Sequence, residues 1–146
     1  MINDKNNEMR SFALRYRHRI FEEVINLDFD SLPYIGHLVT KNAIEKGFVE
    51  KRKNLKGQTI AEWSRSEVSN GRNTPNQWAC LSGVDLLVSN RKTPEIDDIE
   101  LWACIVFYWS VAYGPFQSIN DIFDDLPSDF LNGVDISYLA ANLPNL

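Results

Sequence analysis

The stretch TPEIDDIELWACIVFYWSVAYGP, residues 93–115, decides the predicted fold of the chain. Propensity alone favours a β-strand over 104–113, because β-branched and aromatic residues are common there. However, the stretch starts with acids, which suit the positive end of a helix dipole, and it stops at Gly114-Pro115. We therefore predict a helix over about 94–113. Its middle is apolar on every face, which is typical of a helix buried at the centre of a bundle.

Other segments also carry helical signals. Residues 8–27 repeat apolar side chains every three or four positions, as an amphipathic helix does. Ser31, Thr74 and Thr93 read as N-caps, each with a proline shortly after it. Thr59 and Glu62 match a capping box. Further helices are predicted over about 60–69, 75–89, 119–126 and 134–143.

These signals predict an all-α fold. We expect a compact bundle of about six to seven helices around the buried central helix of about 94–113. The length of 146 residues favours one helical domain over 1–146. The segment FVEKRKNLKG, 48–57, is open between a short helix and one arm of a hairpin.

Composition and motifs argue against an enzyme. His18 and His37 are the two histidines, and neither belongs to a known nucleophile or metal motif. Cys80 and Cys104 form no metal pattern and are expected to be reduced, buried thiols. The segment 119–130 lacks the spacing and the glycine of a calcium loop. We therefore predict no catalytic residue, no metal site and no cofactor. The alternative that stays open is an enzyme in which His18 or His37 meets a thiol or a carboxylate in space.

The apolar segments are too short for a membrane span. The polar start MINDKNNEMRSF has no apolar run, so neither a signal peptide nor an anchor is expected. The apolar run over 101–113 falls short of the roughly 20 residues that cross a bilayer. A cytoplasmic protein is predicted.

Charge is distributed unevenly along the chain. Residues 93–146 contain nine of the 20 acids and none of the 15 lysines and arginines, and the formal net charge is −5. Such asymmetry is a hint of a charged partner. The alternative is that the two parts of the chain fold together and neutralise each other.

The acids of INDIFDDLPSDF, 119–130, pose the sharpest question. On a helix over 119–126, three aspartates fall at positions i, i+3 and i+4 on one face, where each like-charged pair costs roughly 0.2–0.5 kcal/mol. Two of them also lie at the C-terminal end of the helix, where acids are unfavourable. A second group lies at the start of the 94–113 helix, where capping explains acids as well as binding does. The predicted partner-binding residues are Asp124, Asp125, Asp121, Asp97, Asp98 and Glu100.

Aromatic side chains near these acids complete a predicted docking surface. Tyr108, Tyr113 and Phe116 follow in the same part of the chain. Charge accelerates the encounter with an oppositely charged partner, and aromatic anchors hold the complex. The pattern suits a protein that docks on a basic protein.

A basic region offers an alternative function. KGFVEKRKNLKG, 46–57, contains five lysines and arginines and one acid. With the helix of 60–69, a turn at Asn70-Gly71 and the helix from 75, residues 46–72 would suit a nucleic-acid-binding regulator of the helix-turn-helix kind. A pI near 5.0 argues against a dedicated nucleic-acid binder.

The acidic segments EIDDIE (95–100) and INDIFDDLPSD (119–129) resemble in character the immunity proteins of bacterial toxin systems, including those of contact-dependent growth inhibition. The resemblance covers the last 54 residues and rests on no motif. It implies a small, non-catalytic cytoplasmic protein that neutralises a basic toxin nuclease by covering its active site or an adjacent surface. The basic patch 46–57 departs from a uniformly acidic surface.

Overall fold

The computed structural model describes residues 8–27, 31–65 and 74–145, and within these ranges it contains eight helices and no strand. The predicted all-α class is confirmed. In chain order the helices are α1 (Glu8–Tyr16), α2 (His18–Ile25), α3 (Leu32–Glu45), α4 (Gly57–Arg65), α5 (Gln77–Ser89), α6 (Ile99–Tyr113), α7 (Ile119–Asp125) and α8 (Ile136–Asn142).

One helix more than predicted arises because the segment 8–27 divides at Arg17. The Arg17 Nη1 atom donates to the Leu14 carbonyl at 2.9 Å. An unbroken helix would commit that carbonyl to the backbone N–H of His18. The division lets α1 pack against α6 while α2 packs against α4, α5 and α6.

Helix α6 has the apolar surface that its sequence predicts. Residues 101–109 are all buried, and the helix packs against α1, α2, α5, α7 and α8. Its predicted start at 94 is wrong, because the N-cap is Asp98, whose side chain accepts from the Leu101 backbone N–H at 3.2 Å. The Thr93 hydroxyl instead donates to the Phe130 carbonyl at 2.6 Å.

Of the three other predicted caps, one is confirmed and two are wrong. Ser31 caps α3 as predicted, with its hydroxyl accepting from the Tyr34 N–H at 3.3 Å. Thr74 is not a cap, because α5 has Asn76 at its N-cap. The capping box at Thr59 is also wrong, since α4 already begins at Gly57.

The segment 48–57, for which a short helix and one arm of a hairpin were both considered, forms neither. Residues 50–56 form an irregular connection between α3 and α4. The Leu55 side chain is buried, and its N–H donates to the Thr40 hydroxyl at 2.9 Å. Gly36 of α3 permits this approach, because a Cβ there would collide with the Leu55 carbonyl. The predicted turn at 70–71 lies outside the described residues.

The core is a single hydrophobic cluster that includes residues from Met9 to Leu143. The Met9 N–H donates to the Asn145 carbonyl at 2.8 Å, so the two ends of the described chain meet. In the described ranges no helix is long and apolar enough to cross a membrane.

Two thiols lie within this core. Cys80 of α5 and Cys104 of α6 are fully buried and free, beside the buried Tyr108. Burial raises the pKa of Cys80 to about 12 and raises the pKa of Cys104 well above its ordinary value. Both thiols therefore stay protonated in the folded chain at neutral pH.

We expect the free energy of unfolding to fall as the pH rises from about 8 to about 10. In the unfolded chain these thiols ionise near pH 8.5, whereas in the folded chain they do not. Their contribution is therefore complete below about pH 8.5 and is lost by about 1.4 kcal/mol per thiol for each pH unit above it. Urea unfolding across this range measures the loss. A Cys80→Ala/Cys104→Ala variant should lose clearly less, and an equal loss would contradict the prediction.

Candidate functional site

The acids of α7 share one exposed face, as the sequence predicts. Ser118 caps the helix by accepting from the Asp121 N–H at 3.3 Å. Ile122 and Phe123 are buried on the opposite side. We call the exposed set Asp121, Asp124 and Asp125 the acidic face of α7.

Asp125 is held by a neutral donor. The Trp109 indole Nε1 of α6 donates to the Asp125 Oδ2 atom at 2.8 Å. The Tyr113 ring lies next to the same indole, with ring centroids 4.3 Å apart. The carboxylate is thereby oriented by α6.

Asp121 and Asp124 differ from Asp125, whose carboxylate has Trp109 as a partner. Both side chains are exposed, and neither makes an ion pair or a side-chain hydrogen bond within the described residues. Like charges on one face repel, so their placement is locally unfavourable. The fold leaves their charge available to solvent or to a partner.

Asp98 and Glu100 are already paired within the chain. The Arg19 guanidinium of α2 donates to Asp98 through Nη2 at 2.7 Å and through Nη1 at 3.0 Å, and to Glu100 at 2.9 Å. The hydrogen bond to Asp98 is the largest cause of a raised pKa of Arg19, which burial opposes. These two carboxylates therefore join α2 to the start of α6.

Asp97 is exposed in the turn before α6, and its carbonyl accepts from the Ile99 N–H at 2.9 Å. Trp109, which orients Asp125, lies roughly 16 Å further along the axis than Asp98, at about 1.5 Å per residue. Asp98 and Glu100 therefore lie at the start of α6, whereas Asp125 contacts its C-terminal half.

Asp129 also has a base from the first part of the chain. Its Oδ2 atom lies 3.1 Å from Arg91 Nε, with both side chains largely exposed. An exposed pair of this kind contributes little stability, about 0–1 kcal/mol. Bases from residues 1–92 thus neutralise Asp98, Glu100 and Asp129. Within the described residues they do not pair with the acidic face of α7.

The predicted aromatic anchors have different environments. Tyr108 is only 1% exposed, so the prediction that it anchors a partner is wrong. A residue in the middle of an all-apolar helix faces the core whichever way it points. Tyr113, at the C-terminal end of the helix, is 37% exposed, and Phe116 is half-buried.

Asp85 is a site residue that sequence reasoning missed. It is buried in α5 and accepts from the Tyr113 hydroxyl and, at 3.1 Å, from the Asn42 amide. Lys46 Nζ lies 3.9 Å away. Burial, then the Asp85 carboxylate, raises the pKa of Tyr113. A lone acid within the apolar run WACLSGVDLLV was the available signal, since buried acids require partners.

Helix α5, which follows the basic region and would be its recognition helix, is buried along most of its length. Residues 79–85 of α5 are all buried, along with Leu87 and Val88. A helix that reads a DNA groove must present a free face to the bases. The helix-turn-helix form of the alternative therefore lacks its reading helix, while Lys51, Arg52 and Lys53 are exposed in the connection before α4.

Within the described ranges, no group of three or more acidic, histidine or cysteine side chains comes together in a way that could hold a metal ion. His18 and His37 are each half-buried beside a tyrosine ring. The ring centroids of His18 and Tyr16 are 6.4 Å apart, and those of His37 and Tyr34 are 6.2 Å apart.

Comparison with known proteins leaves the site to be interpreted from its own geometry. No family model matches the chain, and no curated protein or solved structure shows significant similarity to it.

Replacing Arg19 with Met should lower the free energy of unfolding by about 1–3 kcal/mol. The methionine keeps the packed aliphatic stem but leaves the partly buried Asp98 and Glu100 without their cation. Thermal or urea unfolding at low salt measures the change. Lys41→Met, at an exposed pair with Glu45, is the matched control and should change stability by less than about 0.5 kcal/mol. Equal effects of the two variants would refute the structural role of Arg19.

Proposed function

We propose that the chain is a non-catalytic inhibitor that binds a basic protein, of the kind that bacterial immunity proteins provide against toxin nucleases. The observation that carries the proposal is the contrast between two groups of acids. Asp98 and Glu100 are committed to Arg19, whereas Asp121 and Asp124 have no base within the described residues. Charge left unpaired on one face is available to a basic partner.

The surroundings of Asp125 support the same surface. Its contact with Trp109 fixes a carboxylate next to the partly exposed Tyr113. Tyr113 is itself fixed by its hydrogen bond to Asp85. An ordered tyrosine beside fixed negative charge is the composition of a binding hot spot, because little side-chain entropy remains to be lost on docking.

The proposal gives α6 the role of central helix of the bundle. It buries residues 101–109 and also carries Trp109 and Tyr113, which join the core to the acidic face of α7. The binding surface would then be as rigid as the core beneath it. Preorganisation of this kind lowers the cost of association.

Inhibition would occur by occlusion. An interface of standard size covers roughly 800 Å² per partner, which is enough to block the nucleic-acid cleft of a small nuclease. The acidic face would occupy the basic surface that otherwise attracts phosphate. Such a complex forms rapidly at low salt and more slowly as salt rises. Its place of action would be the cytoplasm, where a nuclease finds its substrate.

A nuclease-inhibition assay tests the proposed function. The purified chain is mixed with the protein encoded immediately upstream of its gene, and nucleic-acid cleavage is followed at increasing molar ratios. We expect cleavage to stop near an equimolar ratio and the association rate to fall steeply with salt. Undiminished cleavage, with no complex detected by calorimetry, would count against an inhibitor of that protein.

A duplex-binding regulator built on 46–72 has less support, because α5 is buried along most of its length. The exposed side chains of Lys51, Arg52 and Lys53 in that region instead offer a separate binding surface.

A further inference from the structure

The connection before α4 presents cations that the fold does not neutralise. We call residues 50–56 the basic loop. Lys51, Arg52, Lys53 and Lys56 are exposed, and none of them makes an ion pair within the described residues. Lys46, by contrast, lies 3.9 Å from Asp85. A chain with a net charge of −5 thus keeps one local surface of positive charge.

The basic loop is attached firmly to α3. Leu55 is buried, and its N–H donates to the Thr40 hydroxyl, which in turn donates to the Gly36 carbonyl at 2.8 Å. The close approach of the Leu55 carbonyl depends on the missing side chain of Gly36. The backbone that carries the cations is therefore held in place at this end.

An aromatic face adjoins the cations. The Arg52 guanidinium carbon lies 4.6 Å from the centroid of the Trp78 ring. Trp78 is half-buried at the start of α5, whereas Trp63, Trp102 and Trp109 are buried. Nucleobases stack on tryptophan rings and on the planes of arginine guanidinium groups. Phosphate-binding cations and a stacking surface thus lie side by side.

We propose that the basic loop and Trp78 bind single-stranded nucleic acid. Lys51, Lys53 and Lys56 contact phosphates, and one base stacks on the layer formed by Arg52 and Trp78. Single-stranded nucleic acid fits better than a duplex because its bases are free to stack, and because α5 offers no free helix for a groove. This inference goes beyond the proposed function, since the acidic face of α7 takes no part in it.

Fluorescence anisotropy with a labelled oligo(dT) of about 12 nucleotides tests the proposal, at salt concentrations from about 50 to 200 mM. Three phosphate contacts predict a slope of about −2 in a plot of log affinity against log salt. Lys51→Gln/Lys53→Gln/Lys56→Gln should reduce the magnitude of that slope by about 2. The matched control, Arg15→Gln/Lys41→Gln/Lys92→Gln, removes the same charge elsewhere and should leave the slope close to the wild-type value.

Trp78 variants test the stacking contact. Trp78→Leu should weaken binding by roughly 5- to 150-fold, and Trp78→Phe, which keeps a ring, should weaken it much less. Circular dichroism establishes that each variant is folded, and the lysine variant, altered only at exposed positions, keeps the test valid if Trp78→Leu unfolds.

Three results would overturn the proposal. The first is no binding of oligo(dT) at about 50 mM salt. The second is an equal loss of affinity in the loop variant and in the control variant. The third is competition by polyglutamate as strong as competition by unlabelled oligo(dT). The last result would instead assign the surface to an acidic protein. Each leaves the inhibitor proposal standing, because nuclease inhibition is measured separately.

Discussion

Neutralising the acidic face of α7 should weaken binding of the proposed basic partner by about 100- to 1,000-fold or more. The variant Asp121→Asn/Asp124→Asn/Asp125→Asn removes three charges that have no base in the described chain. Close charge pairs across interfaces contribute about 1.5 kcal/mol or more each, so the loss of two such pairs already weakens binding by about 100-fold, and the loss of three weakens it by about 1,000-fold or more. Asn at 125 keeps an oxygen that can accept from Trp109. Isothermal titration calorimetry measures the affinity.

The matched control for this variant is Glu8→Gln/Glu45→Gln/Glu50→Gln. It removes the same net charge from exposed positions outside α7. Its affinity should fall by less than about tenfold, through the weaker long-range field alone. Wild-type affinity in the α7 variant, or equal losses in both, would remove the acidic face of α7 from the interface.

Replacing Trp102 with alanine should lower the free energy of unfolding by about 3–5 kcal/mol. Trp102 is fully buried, its ring lies 5.8 Å from Phe130 and 6.4 Å from Phe123, and its Nε1 donates to the Glu95 carbonyl at 3.0 Å. The substitution therefore leaves a cavity where α6 meets α7. Urea unfolding measures the loss.

Val111→Ala on the same helix is the control for this variant. Val111 is 40% exposed, so its truncation removes little buried surface and should change stability by about 0.5 kcal/mol or less. A loss below about 1 kcal/mol for Trp102→Ala would contradict the role of α6 as the central helix.

The predictions from sequence that succeeded rest on local signals, although other local signals, such as the Thr74 cap and the Thr59 capping box, failed. The apolar run of α6 and the spacing of Asp121, Asp124 and Asp125 on α7 each require only neighbouring residues to interpret. Ser31 capped α3 for the same reason. By contrast, Thr93 resembled a cap but its hydroxyl bonds Phe130, 37 positions away. Local chemistry suggested a cap there, and a tertiary contact used the group instead.

The pairing of charges was not predictable for a related reason. Arg19 meets Asp98 across 79 positions and Glu100 across 81. Composition showed that residues 93–146 contain acids and no bases, but tertiary packing, such as that of α2 on α6, decides which acids receive a base. Asp85 was likewise missed, since its partners Asn42 and Tyr113 come from two other helices.

We propose that Asp98 and Glu100 stabilise the fold, whereas the acidic face of α7 binds the partner. The most direct test compares Asp98→Asn/Glu100→Gln with the triple α7 variant, measuring unfolding free energy and toxin affinity for both. Asparagine still caps α6, so the first variant isolates the loss of the Arg19 pair. We predict a stability loss of about 1–3 kcal/mol with near wild-type affinity for the first variant, and the reverse for the second. Lost affinity in the first variant with retained affinity in the second would refute this division of roles between the two groups of acids.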